Sequence, residues 1–226
     1  MFTKEGIFRK AAAYDFDAVK EYLEQGGSPD IYDGSGRSLL TAILAAYYYH
    51  VFYSDPEEVA FLKAHDDDDE YHQHVNKYCR MPLEERPHSI KKQIDYLMAK
   101  GIGVNAVGWK EAEEEQKTAP AVETPLFHSV IHRDYCMTEY LLKCGADPCQ
   151  KLFSDGDYDR IGYENWLPDQ LDLYLFDGDQ GDAGQNDLEI AALLMHYGLD
   201  KWGGGFCIDV DHETRTIIGH SPHFLA

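Results

Sequence analysis

The nine residues YLLKCGADP, at positions 140–148, end an apolar helical run with a glycine and then a proline. Glycine adopts the left-handed conformation at a helix end without a steric penalty, and a proline shortly afterwards prevents the helix from resuming. One helix end explains Gly145 and Pro148, and by itself it identifies no fold. The same ending, however, recurs along the chain.

The recurrence predicts a repeated structural unit. Capping glycines stand at Gly26, Gly101, Gly145 and Gly198, in YLEQGGSPD (22–30), YLMAKGIGVN (96–105), YLLKCGADP (140–148) and LLMHYGLD (193–200). Apolar or aromatic residues lie three and four positions before each glycine, which is the spacing of a helix with one buried face. Helices this short are marginal alone, and stacking similar faces is the usual remedy.

A second kind of segment precedes these helices. In ETPLFHSVIH (123–132), Thr124 is the predicted N-cap and Pro125 takes the first helical position, where a missing N–H costs nothing. GRSLLTAILAA (36–46) has the same form, with Ser38 as its predicted N-cap. Each unit is thus predicted to contain a helix, a tight turn, a second helix, a glycine stop and a polar loop.

These segments resemble the ankyrin repeat, whose pattern runs from Thr-Pro-Leu-His through a Leu-rich helix to Gly-Ala-Asp-Pro. Residues 124–149 match that pattern without a gap, from TPL at 124–126 to GADP at 145–148. The resemblance implies a stack of helix pairs joined by β-turn loops. It also implies a function in binding other proteins.

The chain departs from the family pattern at several positions. Phe127 and Thr41 stand where the motif has histidine, so the family's Thr–His hydrogen bond is absent and looser turns are expected. Tyr14 and Arg133 replace the glycine between the two helices. The capping glycines are also too far apart for the family's repeat length. The sequence leaves open whether residues 50–88 form an extra degenerate repeat or an unrelated insert.

The sequence predicts one all-α domain over residues 1–226, an ankyrin-repeat helical solenoid with a helical insert. The stretch FCIDVDHETRTIIG (206–219) instead alternates around a polar turn and predicts a small C-terminal β-hairpin, either a cap or a binding arm. The predicted units are 5–37, 38–107 with the insert at roughly 50–88, 108–149 and 150–201, followed by a C-terminal cap at 202–226.

Net charge and cysteine content limit which partners and which cellular compartment are expected. The net charge of −21 and the pI of about 4.7 predict repulsion of nucleic acid and anionic membranes and attraction of basic proteins, with simple solubility as the open alternative. The five cysteines have no C-x-x-C spacing, so we expect reduced thiols in a cytoplasmic protein. We expect neither a signal peptide nor a membrane span, because no stretch has the required apolar length.

The resemblance also implies where a partner would bind. Ankyrin-repeat proteins use the β-turn tips and the ends of the first helices along one concave face. By position, the implied residues are Gly34, Ser35, Arg37, Tyr47, Tyr48, Glu123, Ile131 and His132. The run AAYYYHVFY (45–53) is also aromatic enough to pack in a core, and both roles stay open for its tyrosines.

Histidine- and aspartate-rich stretches raise a metal alternative. His65, His72 and His74 lie in HDDDDEYHQH (65–74), but consecutive aspartates repel one another and diverge, so a solvated loop is the favoured interpretation. The loops at 155–160 and 177–187 resemble calcium loops, yet both lack the glycine and glutamate that an EF-hand requires.

We therefore expect a non-enzymatic protein-binding module without a cofactor, which binds a basic protein and not nucleic acid or membranes. An inhibitor or immunity role is the concrete form of this expectation. The alternatives are a metal-dependent enzyme that uses the His/Asp-rich insert and a structural appendage of a larger assembly. Metal content would distinguish the first, and a stoichiometric partner without inhibition would distinguish the second.

Overall fold

The computed structural model describes residues 2–53, 80–108, 123–150, 189–190, 192–198, 206–211 and 216–222. Within these residues the α-helices are α1 Lys4–Ala12, α2 Phe16–Glu24, α3 Leu39–Tyr53, α4 Ile90–Ala99, α5 Pro125–Ile131 and α6 Tyr135–Lys143. A 3-10 turn, Pro87–Ser89, leads into α4, and residues 192–196 are also helical. The described chain is mostly helical, which agrees with the predicted all-α class.

Short polar side chains begin the helices. Ser38 Oγ accepts a hydrogen bond from the backbone N–H three residues later at 3.2 Å, and Thr124 Oγ1 does the same at 3.0 Å. The carboxylates of Asp15 and Asp134 cap α2 and α6 in the same way. Each oxygen satisfies an N–H group that has no partner inside its helix. The predicted N-caps Ser38 and Thr124 are therefore confirmed.

Recurring left-handed glycines end the second helices. Gly26, Gly101, Gly145 and Gly198 have φ angles of 85°, 96°, 90° and 112°. At the first three, the glycine N–H donates to the carbonyl three residues back, and the next N–H donates to the carbonyl five residues back. This pair of bonds is the Schellman pattern, and its positive φ favours a residue without a Cβ. The helix ends predicted from the repeated glycines are confirmed.

The turn inside a helix pair is left-handed although no glycine stands there. Tyr14 between α1 and α2 has a φ of 57°, and Arg133 between α5 and α6 has a φ of 54°. The following N–H groups, of Asp15 and Asp134, donate to carbonyls of the preceding helices at 2.9 and 2.8 Å. These bonds hold each turn against a backbone strain of about 1–2 kcal/mol.

Helix α3 lies in the middle of the described helices. It packs against α1 on one side, against α5 on another, and against its own partner α4. Its sequence, LLTAILAAYYYHVFY, has no polar face, as expected of a helix that other helices surround. Because α1 also packs on α2 and α5 on α6, the helices form a row of three pairs.

The loop between α2 and α3 forms a short finger, residues 30–38. Tyr32 pairs with Ser38 across the finger, and Arg37 pairs with Val107 in the loop that follows α4. A backbone hydrogen bond of 2.9 Å joins the same two loops beside this bridge. The loops of successive helix pairs therefore meet edge to edge.

Residues 80–89, the crossing segment, precede α4 and run across the start of α6. The Cys136 thiol of α6 donates to the Arg80 carbonyl at 3.4 Å, and Arg80 Nη2 lies 2.8 Å from the Glu189 carboxylate. Leu83 of the same segment is buried in the core. The crossing segment thus contacts the helix pair after its own and the helical residues beyond it.

Two strands, β1 Phe206–Asp211 and β2 Thr216–Pro222, pair antiparallel. Their register shifts between Asp209 and Val210, which is the irregularity of a β-bulge. The strands occupy the stretch for which the sequence predicted a hairpin. Of the predicted turn DHET (211–214), Asp211 belongs to β1 and residues 212–214 lie outside the described residues.

Several expectations about the inserts fall outside the described residues. These include the choice between a repeat and an insert for residues 50–88, of which 54–79 are not described, and the predicted boundary between residues 201 and 202. Helix α3 continues to Tyr53, a few residues past the position near which the insert was expected to begin.

Replacing Arg133 with glycine should give a more stable protein than replacing it with alanine, by about 1 kcal/mol. Both changes remove the same side chain, and only alanine keeps a Cβ that opposes the φ of 54°. Urea unfolding followed by circular dichroism measures the difference. Equal stabilities would show that this turn stores no strain.

Candidate functional site

One carboxylate holds the finger residues that were predicted to contact a partner. Asp33 Oδ1 accepts from the backbone N–H groups of Ser35 and Arg37, each at 2.9 Å, and Oδ2 accepts from Arg37 Nε at 2.8 Å. Aspartate favours such turns because its short side chain reaches N–H groups a few residues ahead. Gly34 and Ser35 thus lie at a well-braced, partly exposed tip.

The structure brings Arg37 together with Glu123, a second predicted contact residue. Arg37 Nη1 lies 3.4 Å from Glu123 Oε2, and the same oxygen lies 3.0 Å from His128 Nε2. The hydrogen bond with His128 lowers the pKa of Glu123, against the opposing effect of burial. Burial alone would lower the pKa of Arg37, but the carboxylates of Asp33 and Glu123 raise it. Glu123 is therefore an anion shared by two adjacent helix pairs.

A pocket of about 190 Å³ opens beside this contact. Its lining comes from the finger and from the facing sides of α1 and α3: Phe8, Ala12, Asp33, Arg37, Ala42, Ala45, Ala46 and Tyr49. The positions on α3 follow helical spacing and share one face. Three alanines on that face leave the space that larger side chains would fill.

Two predicted contact residues are core residues in the structure. Tyr47 and Tyr48 are both 0% exposed, so neither presents surface to a partner, and their placement on the binding face is corrected. A helix that is apolar all round buries residues on every side, and the tyrosines point between neighbouring helices. The next residue, Tyr49, is 63% exposed and lies at the rim of the pocket.

A buried ion pair lies behind these tyrosines. Arg86 of the crossing segment and Asp134 at the start of α6 have fully buried side chains, with Arg86 Nη2 2.7 Å from Asp134 Oδ1 and Nη1 against Oδ2. Tyr48 donates its hydroxyl to Asp134 Oδ2 at 2.8 Å, and Met81 O accepts from Arg86 Nε at 2.9 Å. Asp134 raises the pKa of Arg86 despite its burial, so the guanidinium stays charged.

The last two predicted contact residues, Ile131 and His132, end α5 and are half-buried. The His132 ring stacks on Tyr48, with ring centroids 4.2 Å apart, and lies parallel to the His128 ring at 6.5 Å. Burial lowers the pKa of His132 to about 4, and His128 adds to the shift. His132 is therefore a neutral packing residue at neutral pH, with part of its ring left at the surface.

The metal candidates His65, His72 and His74, and both calcium-like loops, lie outside the described residues. Among the residues that the structure describes, no group of three or more His, Cys, Asp or Glu side chains is arranged to hold a metal ion. The described cysteines, Cys136, Cys144 and Cys149, form no disulfide bond.

Sequence reasoning missed Arg86 and Asp134. Asp134 carried a signal, because it follows the left-handed Arg133 just as Asp15 follows Tyr14, and each caps the next helix. Arg86 carried none, because it lies in an aperiodic stretch and its partner is 48 positions away.

No family model, curated protein or solved structure matches the chain. Across the described ranges, no helix combines the length and the apolar character needed to cross a bilayer.

Replacing Arg86 with methionine should destabilise the fold by about 3–5 kcal/mol, because Asp134 then stays buried without its counter-ion. Denaturant unfolding measures the loss. Lys143→Met is the matched control, since Lys143 pairs with Glu139 at 2.9 Å on the surface and its side chain is 52% exposed. That variant should lose less than about 1 kcal/mol. Similar losses in both variants would contradict a special role for the buried pair.

Acid should destabilise the protein through His132. Its pKa is 6.5 when unfolded and about 4 when folded, so the unfolded chain binds more protons between these values. The contribution is complete above pH 6.5 and is lost on acidification towards pH 4, at about 1.4 kcal/mol per pH unit.

Urea unfolding at several pH values, on the native chain and on His132→Asn, measures this contribution. The variant should lose less stability than the native chain over the same acid range. Parallel pH profiles would show that His132 protonates equally easily in both states.

Proposed function

We propose that this chain is an ankyrin-like helical solenoid. The proposal is supported by the shared glycine helix ends, the left-handed turns inside two helix pairs and the central position of α3 between α1 and α5. Loops that meet edge to edge through Arg37 and Val107 support it further. In such arrays each unit buries its apolar face against the next.

We further propose that the chain is a non-enzymatic protein-binding module. The observation that carries this proposal is the pocket between the finger and the facing sides of α1 and α3. Its rim holds an exposed tyrosine, Tyr49, and tyrosine is enriched among residues that dominate binding energy. The Arg37–Glu123 contact lies beside it and braces the surface across two helix pairs.

The proposed partner is a basic protein in the cytoplasm. A net charge of −21 favours such a partner, speeds its association and disfavours nucleic acid and anionic membranes. In its most specific form, the proposal is an inhibitor or immunity protein that covers a basic enzyme such as a nuclease. Charge and fold class support that form, while the pocket supports binding in general.

Affinity capture from the native lysate tests the binding proposal. The bait is the full chain, at about 50 mM and then about 300 mM salt, a range over which exposed charges become strongly screened. A basic protein should be retained at low salt and released at high salt.

Two leucine variants localise the binding. Ala45 lines the pocket, so Ala45→Leu should fill it and lose the partner. Ala99 is exposed at the end of α4, so Ala99→Leu should retain it. Capture of the same partner by both variants would contradict the proposed face and favour a structural appendage.

A further inference from the structure

The pocket beside the finger has the size of one side chain. Its volume is about 190 Å³, whereas pockets for drug-sized ligands measure about 300–1,000 Å³. A protein cavity of about 150 Å³ is known to hold one benzene molecule. The pocket is therefore suited to a single aromatic or branched aliphatic side chain, and it is too small for a typical cofactor.

Apolar groups form most of the pocket. Phe8 and Ala12 of α1 face the three alanines of α3, and Tyr49 lies at the rim with 63% exposure. Insertion of an apolar side chain would remove this surface and its own from water, which is favourable in proportion to the area covered.

One end of the pocket is polar and carries an excess of carboxylates. Asp33 and Arg37 line it, and Arg37 reaches Glu123 at 3.4 Å, so two carboxylates share one guanidinium. Asp33, Glu123 and Arg37 together sum to a formal charge of −1, and His128 Nε2 also lies 3.0 Å from the Glu123 carboxylate. The Glu123 side chain is 38% exposed, against 15% for Asp33, and is the carboxylate more accessible to a partner. A cation that approaches this end meets a partly desolvated anion, which strengthens the attraction.

We infer that the pocket takes one large apolar side chain of a protein partner, and that a lysine or arginine next to it pairs with Glu123. The inference rests on the proposed function and names the partner's chemistry at that site. The recognised element is an exposed segment in which a bulky apolar residue directly adjoins a basic one. An anchor of this kind, buried in a small pocket and flanked by charge, is how a few residues dominate many interfaces.

NMR titration of the ¹⁵N-labelled full chain tests this chemistry with three defined probes. N-acetyl-Phe-Arg-amide should shift the amide signals of Arg37, Ala45 and Tyr49, with a Kd on the order of 1 mM. N-acetyl-Ser-Arg-amide lacks the anchor, and N-acetyl-Phe-Glu-amide reverses the charge. Each should bind about tenfold more weakly or not at all.

The leucine variants show whether the shifts report the pocket. Ala45→Leu should abolish them, whereas Ala99→Leu, the same change on an exposed helix end, should leave them unchanged. No shift with N-acetyl-Phe-Arg-amide at about 10 mM, well above the expected Kd, would overturn the inference. Equal affinity for N-acetyl-Phe-Glu-amide, or shifts that persist in Ala45→Leu, would overturn it as well.

The two proposals fail differently. If the Ala99→Leu bait captures a lysate protein that the Ala45→Leu bait does not, the proposed binding face is supported. This holds even if the dipeptide titrations contradict the inferred chemistry of the partner. If the Ala45→Leu bait captures the partner as well as the native chain does, the proposed binding face is wrong, whatever the dipeptide titrations show.

Discussion

A guanidinium and a carboxylate, both with fully buried side chains, meet where the crossing segment passes the start of α6. Asp134 caps α6 through Met137 N–H, accepts from the Tyr48 hydroxyl of α3 and neutralises Arg86. Three parts of the chain that are distant in sequence are therefore fixed by one carboxylate. Removing two charges from water is expensive, and the arrangement is tolerable because each carboxylate oxygen has hydrogen-bond partners. The middle of the helix row depends on this complete set of bonds.

The parts of the fold that sequence predicted correctly are those with a local cause. A left-handed glycine and an N-cap side chain each form bonds within a few residues of the helix end. The helix ends at Gly145, Thr124 and Ser38 could therefore be predicted from the local sequence alone. The Arg86–Asp134 pair has no such local signal. Its existence depends on how the crossing segment packs, and that is decided by tertiary structure.

In the candidate site, too, some residues were placed correctly from the sequence and others were not. Arg37 and Glu123 were identified by their positions in a repeat pattern, and the structure places them in contact. Tyr47 and Tyr48 were placed by the same alignment and are buried, because they lie on sides of α3 that other helices cover, away from the face that lines the pocket. The pocket was not predictable from one helix, since its walls come from α1, α3 and the finger together. The small alanine side chains on α3 leave a pocket only because Phe8 of α1 forms its opposite wall.

The crossing segment has a consequence for how such a chain can evolve. Arrays whose units contact only their neighbours can lengthen or shorten by duplication or loss of whole units. In this protein, Arg80 reaches Glu189 past an intervening helix pair, and Arg86 requires the aspartate of that pair. Loss of the α5–α6 pair would leave the buried Arg86 without its counter-ion Asp134. An extra pair inserted there would separate Arg80 from Glu189. Duplication or loss of a helix pair between α4 and the helical residues at 192–196 would therefore break contacts that this chain uses, which an array of independent units would not suffer.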